Sequence, residues 1–250
     1  AACQHYGIGF RELWAIDPEL SVPGKVVHSI GWPLGLGPGG ATGGSYLYHL
    51  PNNQVALGLI VDLSYSNPHL SPFDEFQRWK HHAEVKKVLH GGERIAYGAR
   101  AIVKGGIQAL PKLTVPGAVL AGDDAGFLNP LKIKGSHTAM KSGMLAAEAV
   151  FEEVVAGHIS TQASSYQDRF ENSWLYDELY RARNVAPGLH KLGMMMGAAH
   201  TFVDQFFRGK QAWTLKDNTP DHATLKKASQ THRIEYPKPD GKISFDKLSS

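Results

Sequence analysis

"GDDAGFLNPLKIKGSHTAMKSGMLAAEAV" (residues 122–150) begins as a loop and ends as a helix. Directly before it, residues 117–121 (GAVLA) form a short apolar run that predicts a buried strand. Ala139, Met140, Gly143, Ala146, Ala147, Val150 and then Val154 recur at spacings of three and four, the pattern of an amphipathic helix. The expected order is therefore a strand, a long loop rich in Gly and Asp, and a helix that opens at Gly135. Joints of this composition also connect strand to helix in proteins that bind nothing there. A helix start, however, carries bare N–H groups and about half a positive charge, which favour an anion or an electron-rich ring. Gly135 would let a ligand approach the backbone, and Ser136, Thr138 and Ala139 leave room along the first turn. Asp123 can accept hydrogen bonds from hydroxyl groups.

The composition bounds what surrounds this segment. With 42% hydrophobic and 20% charged residues over 250 positions, the chain can build one sizeable core or two smaller ones. A net charge of +3 is too mild to argue for nucleic acid. The single cysteine, Cys3, leaves no internal disulfide, no cysteine-ligated iron–sulfur cluster and no four-cysteine zinc site within these residues. No pair among the 13 His is spaced for a metal, and adjacent His81 and His82 are expected on different faces of a helix, as a solvated surface. No run of 18 apolar residues offers a membrane span. The start "AACQHYGIGF", without an initiator Met, reads as part of something longer.

Along the chain, residues 25–65 are β-rich, with "SYLYHL" (45–50) and "QVALGLIVDL" (54–63) flanking the hairpin signal "PNN". Ser71-Pro72 marks a helix start, with Ser as N-cap and Pro at the first helical position, and its face of Phe73, Phe76, Trp79 and Lys80 predicts packing. A strand over 94–102, a helix at about 165–183 and a polar tail from 214 that wraps or links rather than forming core complete the outline. "GLGPGG" (35–40) matches the G-x-G-x-x-G spacing, but Pro38 lies inside it and a β-like run follows, so it does not read as a dinucleotide loop.

Strand, Gly-Asp, Pro and Gly-helix recur together in the second flavin-contacting segment of two-dinucleotide-binding flavoproteins, which residues 117–150 resemble. Together with "TGGSYLYHL", "SYSNPHLSPFDEFQRWKHH", "GGERIAYGARAI", "KIKGSHTAMKSGMLAAE" and "IEYPKPDGKISFDKLSS", they resemble the electron transfer flavoprotein–ubiquinone oxidoreductase family over nearly all of residues 6–250. The resemblance implies an α/β (α+β mixed) fold. In it, the second half of an FAD-binding domain is intertwined with a β-rich ubiquinone-binding domain. It implies a monotopic enzyme of the bacterial or mitochondrial inner membrane, with FAD and a 4Fe-4S cluster, that passes electrons from reduced electron transfer flavoprotein to ubiquinone. The expected organisation is a β-rich quinone domain over 1–93, an FAD segment over 94–156, a helical region with a membrane-surface helix over 157–213, and an extended tail over 214–250.

Carried over by this resemblance, Gly122, Asp123, Gly126, Asn129, Pro130, Gly135 and Ala139 match the FAD segment, with the Asn129 amide expected on the flavin ring. Gly43 and Gly44 match the ubiquinone-contacting pair, where two missing side chains let a flat ring lie against backbone; a bulge or turn before the strand is the other reading. Three features depart from the family: its N-terminal G-x-G-x-x-G and its cluster cysteines are not in this sequence, and Thr42 stands where Tyr is common, beside the small insertion "GPGGA". No metal ligand or catalytic side chain is expected, because the chemistry would belong to the cofactors.

Residues 188–213 carry an apolar stripe of Leu189, Leu192, Met195, Met196, Ala199, Val203, Phe206 and Phe207, too interrupted by charge to span a bilayer. The pattern fits a core helix; the resemblance favours an interfacial helix with Leu192, Met195, Met196, Phe206, Phe207 and Trp213 in contact with the membrane and Arg208 and Lys210 at headgroup depth. A nitrogen-fixation-type quinone reductase, a geranylgeranyl reductase and a non-catalytic membrane-docking piece are the alternative functions.

Overall fold

The computed structural model describes residues 2–35, 41–132, 134–158 and 162–249. The chain forms two compact units, each made of two stretches: Gly7–Ala101 with Asp221–Ser250, and Ala1–Tyr6 with Ile102–Pro220. Residues 36–40, most of the rejected "GLGPGG" match, lie outside the described residues.

The first unit is built on a five-stranded sheet of order β2-β3-β4-β1-β5, with β1 Tyr6–Ala15, β2 Val26–Ser29, β3 Gly43–Leu50, β4 Gln54–Asp62 and β5 Glu93–Val103. The hairpin between β3 and β4 turns through Asn52 and Asn53, both at positive φ, a conformation that Asn tolerates better than most residues. One face of the sheet carries Trp14, Leu47, Val55, Leu57, Leu59 and Val61 into a core closed by α1 (Pro72–Trp79) and α2 (Ala83–Leu89). The Ser71 hydroxyl caps α1 by accepting the Asp74 N–H. His81 and His82 lie in the turn between the helices rather than on a helix, and the His81 ring bonds the Ser244 hydroxyl at 3.0 Å. The tail does more than wrap. Ile243 is buried in this core with Ile234 and Phe245 against it, and the Tyr236 hydroxyl donates to Glu75 at 2.8 Å.

The second unit holds the segment at 122–150. The expected buried strand is instead a two-residue strand, β7 (Ala118–Val119), paired only with β6 (Thr114–Val115), and Leu120 after it is 47% exposed. Gly117, at φ +77°, reverses the chain between them, so the run ends in a small hairpin and joins no larger sheet. The helix α3 (Ser136–Val155) does begin at Gly135. Its packed side is Thr138, Ser142, Leu145, Ala146 and Ala149, whereas Met140, Val150 and Val154 of the expected stripe are exposed. Small and apolar residues surround this helix, so periodicity alone marks more than one face. Phe127, Tyr166, Phe170, Leu175 and Leu179 complete the core beside it. The helix expected over 165–183 is two, α4 (Ser165–Glu171) and α5 (Trp174–Arg181), because Ser173 is extended between them. The last helix, α6 (Val185–Phe206), is broken at Gly193.

Candidate functional site

Four of the seven residues matched to the flavin segment meet at the start of α3. A Cβ placed on Gly135 would lie 3.7 Å from the Asp123 Cβ, and one on Gly122 would lie 4.0 Å from the Ala139 Cβ. The Gly122 N–H donates to the Ser142 hydroxyl at 2.9 Å, tying the loop to the helix one turn further on. No side chain caps Gly135, and the first turn holds no acidic residue. The start of α3 thus has no cap from its N-cap side chain and lies beside glycine, alanine and a half-exposed carboxylate. This set fits the hydroxyls and electron-rich ring edge of a flavin: donors at the helix end, an acceptor at Asp123, and nothing bulky between them.

The other three residues make contacts within the loop and to its neighbours. Gly126 is left-handed (φ +101°), and its missing side chain would point at Leu110 and Val103. Pro130 packs by Gly106. Asn129 is buried: its Oδ1 accepts the N–H groups of Leu131 and Lys132, and its Nδ2 donates to Glu178 at 2.9 Å. Glu178, on α5, also accepts from the His137 ring at 2.7 Å and from Lys132 Nζ at 2.8 Å. One carboxylate therefore holds Asn129, the loop and the first turn of α3 in place. It lies 41 to 49 residues from these partners, and no local pattern in the sequence announces it.

Burial pushes the Glu178 carboxyl up, but the bonds from Lys132, His137 and Asn129 outweigh it and hold it at about 2. A carboxyl lowered on folding stabilises the folded state above its ordinary value, and that contribution is lost as pH falls from 4.5 toward 2. Because Lys132 is half exposed, about 1–2 kcal/mol is expected rather than the roughly 3 kcal/mol of the full shift. Glu178→Gln should open a gap of this size in urea unfolding at pH 7, closing toward pH 2; a gap independent of pH would show that the carboxylate charge is idle.

The two matched glycines face opposite sides of the sheet. Successive strand residues face opposite sides. Gly43 stands opposite Val61 on the core side, where an added Cβ would sit 2.1 Å from the Ile60 carbonyl oxygen and 2.7 Å from Leu34. Close packing requires that glycine. Gly44 is on the other face, with its nearest neighbour, the Ser29 carbonyl, at 3.2 Å from an added Cβ. In register it lies beside Ile60 and then Gly9, so this row of the sheet has one side chain between two bare backbones. Tyr46, Gly58 and Arg11 form the next row. Burial pushes the Tyr46 hydroxyl up, with Arg11 pulling the other way, so it stays protonated at neutral pH. Gly9 and Tyr46 had no signal in the sequence, because only the pairing brings them beside Gly44.

At 185–206 the expected single helix doubles back. Gly193 is at φ +74°, ψ 175°, and a Cβ on Gly197 would come within 2.7 Å of the Leu189 Cα, so two helical legs cross closely at glycine. Arg183 ties down the base, donating to the carbonyls of Tyr180, Gly209, Gln211 and Trp213 and to the Thr214 hydroxyl. Buried Asp204 accepts from Asn184 and Gln211. The matched stripe is open: Met195 is 71% exposed, Met196 65% and Phe206 79%, with Leu192, Phe207 and Trp213 exposed as well. Phe202, 78% exposed, extends the stripe and was not read from the sequence. Among the described residues, no helix is long and apolar enough to cross a membrane.

Comparison with known proteins covers the whole chain. Residues 6–102 match the family model described as ETF-QO, ubiquinone-binding, which nearly coincides with the first stretch of the sheet unit. The electron transfer flavoprotein-ubiquinone oxidoreductase of Pseudomonas aeruginosa is 62% identical over 252 residues, covering 100% of this chain and 45% of its own length. The human mitochondrial protein of that name is 50% identical, covering 99% of this chain and 41% of its own. The chain thus spans under half the length of these relatives. Among solved structures, a geranylgeranyl bacteriochlorophyll reductase-like protein of Thermoplasma acidophilum superposes with a TM-score of 0.60 at 16% identity, over 88% of this chain and 51% of its own, a likeness of fold alone.

Proposed function

Because the chain belongs to the electron transfer flavoprotein–ubiquinone oxidoreductase family, we propose that it forms the part of such an enzyme where a flavin meets ubiquinone. The proposed activity is transfer of electrons from reduced electron transfer flavoprotein to ubiquinone at the surface of a bacterial or mitochondrial inner membrane. The observation that carries the reading is 62% identity in a match that covers the entire chain.

FAD, when bound, would supply a carrier that accepts electrons singly and delivers them in pairs. This chain's share is to hold and orient it. The α3 start would favour negative charge on the ring, Asp123 would accept from a hydroxyl, and Gly122 and Ala139 would keep the approach clear. A 4Fe-4S cluster belongs to the proposal for the longer protein; the one cysteine here cannot ligate it. The row Gly44–Ile60–Gly9 offers a quinone ring a flat surface, with the protonated Tyr46 on the same face as a hydrogen-bond donor. The exposed hairpin of α6 would rest in one leaflet with Arg208 and Lys210 near the headgroups.

Gly44→Val in the full-length protein tests this arrangement. Reduction of the bound flavin by electron transfer flavoprotein should survive, while reduction of a short-chain ubiquinone falls at least tenfold. Gly43→Ala serves as the contrast: overpacking at the Ile60 carbonyl should cost about 1–3 kcal/mol of stability without separating the two half-reactions. Equal loss of both half-reactions in Gly44→Val would make Gly44 a fold residue and remove the quinone from this face.

A further inference from the structure

His5, His190 and Asp217 converge from the N-terminal segment, the first leg of α6 and the stretch that follows Trp213. His190 Nδ1 lies 3.1 Å from Asp217 Oδ2, and His5 Nε2 lies 3.7 Å from the same oxygen. One donor atom from each residue falls within 4.8 Å of the others. The three side chains are only 7%, 14% and 9% exposed. The two imidazoles meet edge to face with centroids 4.7 Å apart. Asp217 Oδ1 accepts the Thr219 N–H at 3.1 Å, which fixes the carboxylate with its other oxygen toward the rings.

A hydrogen bond explains the His190–Asp217 contact by itself. His5, a second buried imidazole, is brought to the same oxygen at 3.7 Å, beyond hydrogen-bond length but within ion-pair reach of the carboxylate when protonated. A cation uses all three at once. Zinc–nitrogen and zinc–oxygen bonds of 2.0–2.2 Å place tetrahedral ligand atoms about 3.4 Å apart; the two contacts to Asp217 Oδ2, at 3.1 and 3.7 Å, bracket that value, and the three donor atoms, within 4.8 Å of one another, would draw together around the ion. Two imidazoles with one carboxylate suit a first-row transition metal and disfavour magnesium and calcium, which prefer all-oxygen shells. We propose that His5, His190 and Asp217 bind a divalent transition-metal ion, zinc by the fit of its donor set, which staples the N-terminal segment and the stretch after Trp213 to the base of the α6 hairpin. The proposal uses none of the residues assigned to the flavin or the quinone and stands whether or not those assignments hold.

The test is zinc content of the full-length protein by mass spectrometry, after equilibrium dialysis at buffered free zinc, beside His5→Gln, His190→Gln and Asp217→Asn. Because zinc is counted, iron carried elsewhere adds nothing to the signal. Loss even of a residue behind a ligand typically weakens metal binding by about 10–100-fold, so loss of a ligand should cost about 100-fold or more. The wild type should hold one equivalent that each variant loses. X-ray absorption at the zinc edge should then show two imidazoles and oxygen. Where a variant does not fold, the wild-type spectrum and a rise in its thermal midpoint with zinc decide. The proposal is overturned by wild-type protein that takes up no zinc, by variants that retain it, or by sulfur in the shell, which would point to Cys3 beside Asn218.

Discussion

Glu12→Ala is expected to destabilise the protein by about 3–5 kcal/mol at pH 7, the usual cost of stranding one partner of a buried ion pair. Lys80 is fully buried, and its Nζ bonds both Glu12 oxygens at 2.8 Å. The rings of Trp14, Phe76 and Phe245 lie around it, with centroids 5.0 to 5.6 Å from the ammonium. Glu12 also accepts the Trp14 Nε1–H at 2.8 Å, and Arg94 lies 3.4 Å away. Burial pushes the Lys80 ammonium down to about 8 even with Glu12 pulling it up. Without Glu12 it should drop further, and the folded variant would hold a neutral lysine at pH 7 while the unfolded chain keeps the proton. The unfolded state then binds more protons, so stability rises with pH until the lysine's ordinary value of 10.5, by up to about 1.4 kcal/mol per unit. In the wild type that rise begins only near pH 8. Urea unfolding at pH 7, 8 and 9 checks both points; a loss below 1 kcal/mol, or the same loss at every pH, would contradict them. Replacing Glu12 and Lys80 together by Met should recover most of the loss, because the stranded charge is gone and what is missing is the Trp14 hydrogen bond, about 1 kcal/mol, and the longer Arg94 contact.

Met195→Asp combined with Phe206→Asp should release the full-length protein from liposomes while leaving its flavin spectrum and fold intact. Both side chains are more than two-thirds exposed, so neither substitution buries a charge in a core. Met195, Met196, Phe202 and Phe206 would each contribute about 1.5–3 kcal/mol if fully buried. A helical hairpin resting in one leaflet buries them only in part, and several kcal/mol should remain. Arg208 and Lys210 add about 1 kcal/mol each on an anionic leaflet, a contribution that salt weakens. High salt should therefore loosen the wild type slightly and the double variant should float free. Equal retention of wild type and variant would remove the hairpin from the membrane surface, and loss of the flavin or of the folded state in the variant would make the stripe a packing surface instead.

Local chemistry made part of this molecule legible in its sequence. The Asn-Asn turn, the Ser71-Pro72 start of α1 and the opening of α3 at Gly135 all depend on residues within a few positions of one another, where side-chain caps and allowed backbone angles act directly. The specific strings around Gly44 and Gly135 carried the family for the same reason: they are contiguous. What the tertiary structure decided lies beyond that range. Pairing with β4 and β1 put Gly43 in the core and left Gly44 beside Gly9 on the open face. A carboxylate on α5, far away in sequence, bonds the amide of Asn129. Periodicity continued through Gly193, but the left-handed φ there, with Gly197 close against Leu189, folded the stripe into two legs. Lys80 read as one residue of a packing helix face; Glu12, 68 positions away, became its buried partner only through the fold. Residue type and spacing determine which backbone shapes are cheap; which side chain is buried, and against whom, is set by the partners that the whole chain delivers to the same place.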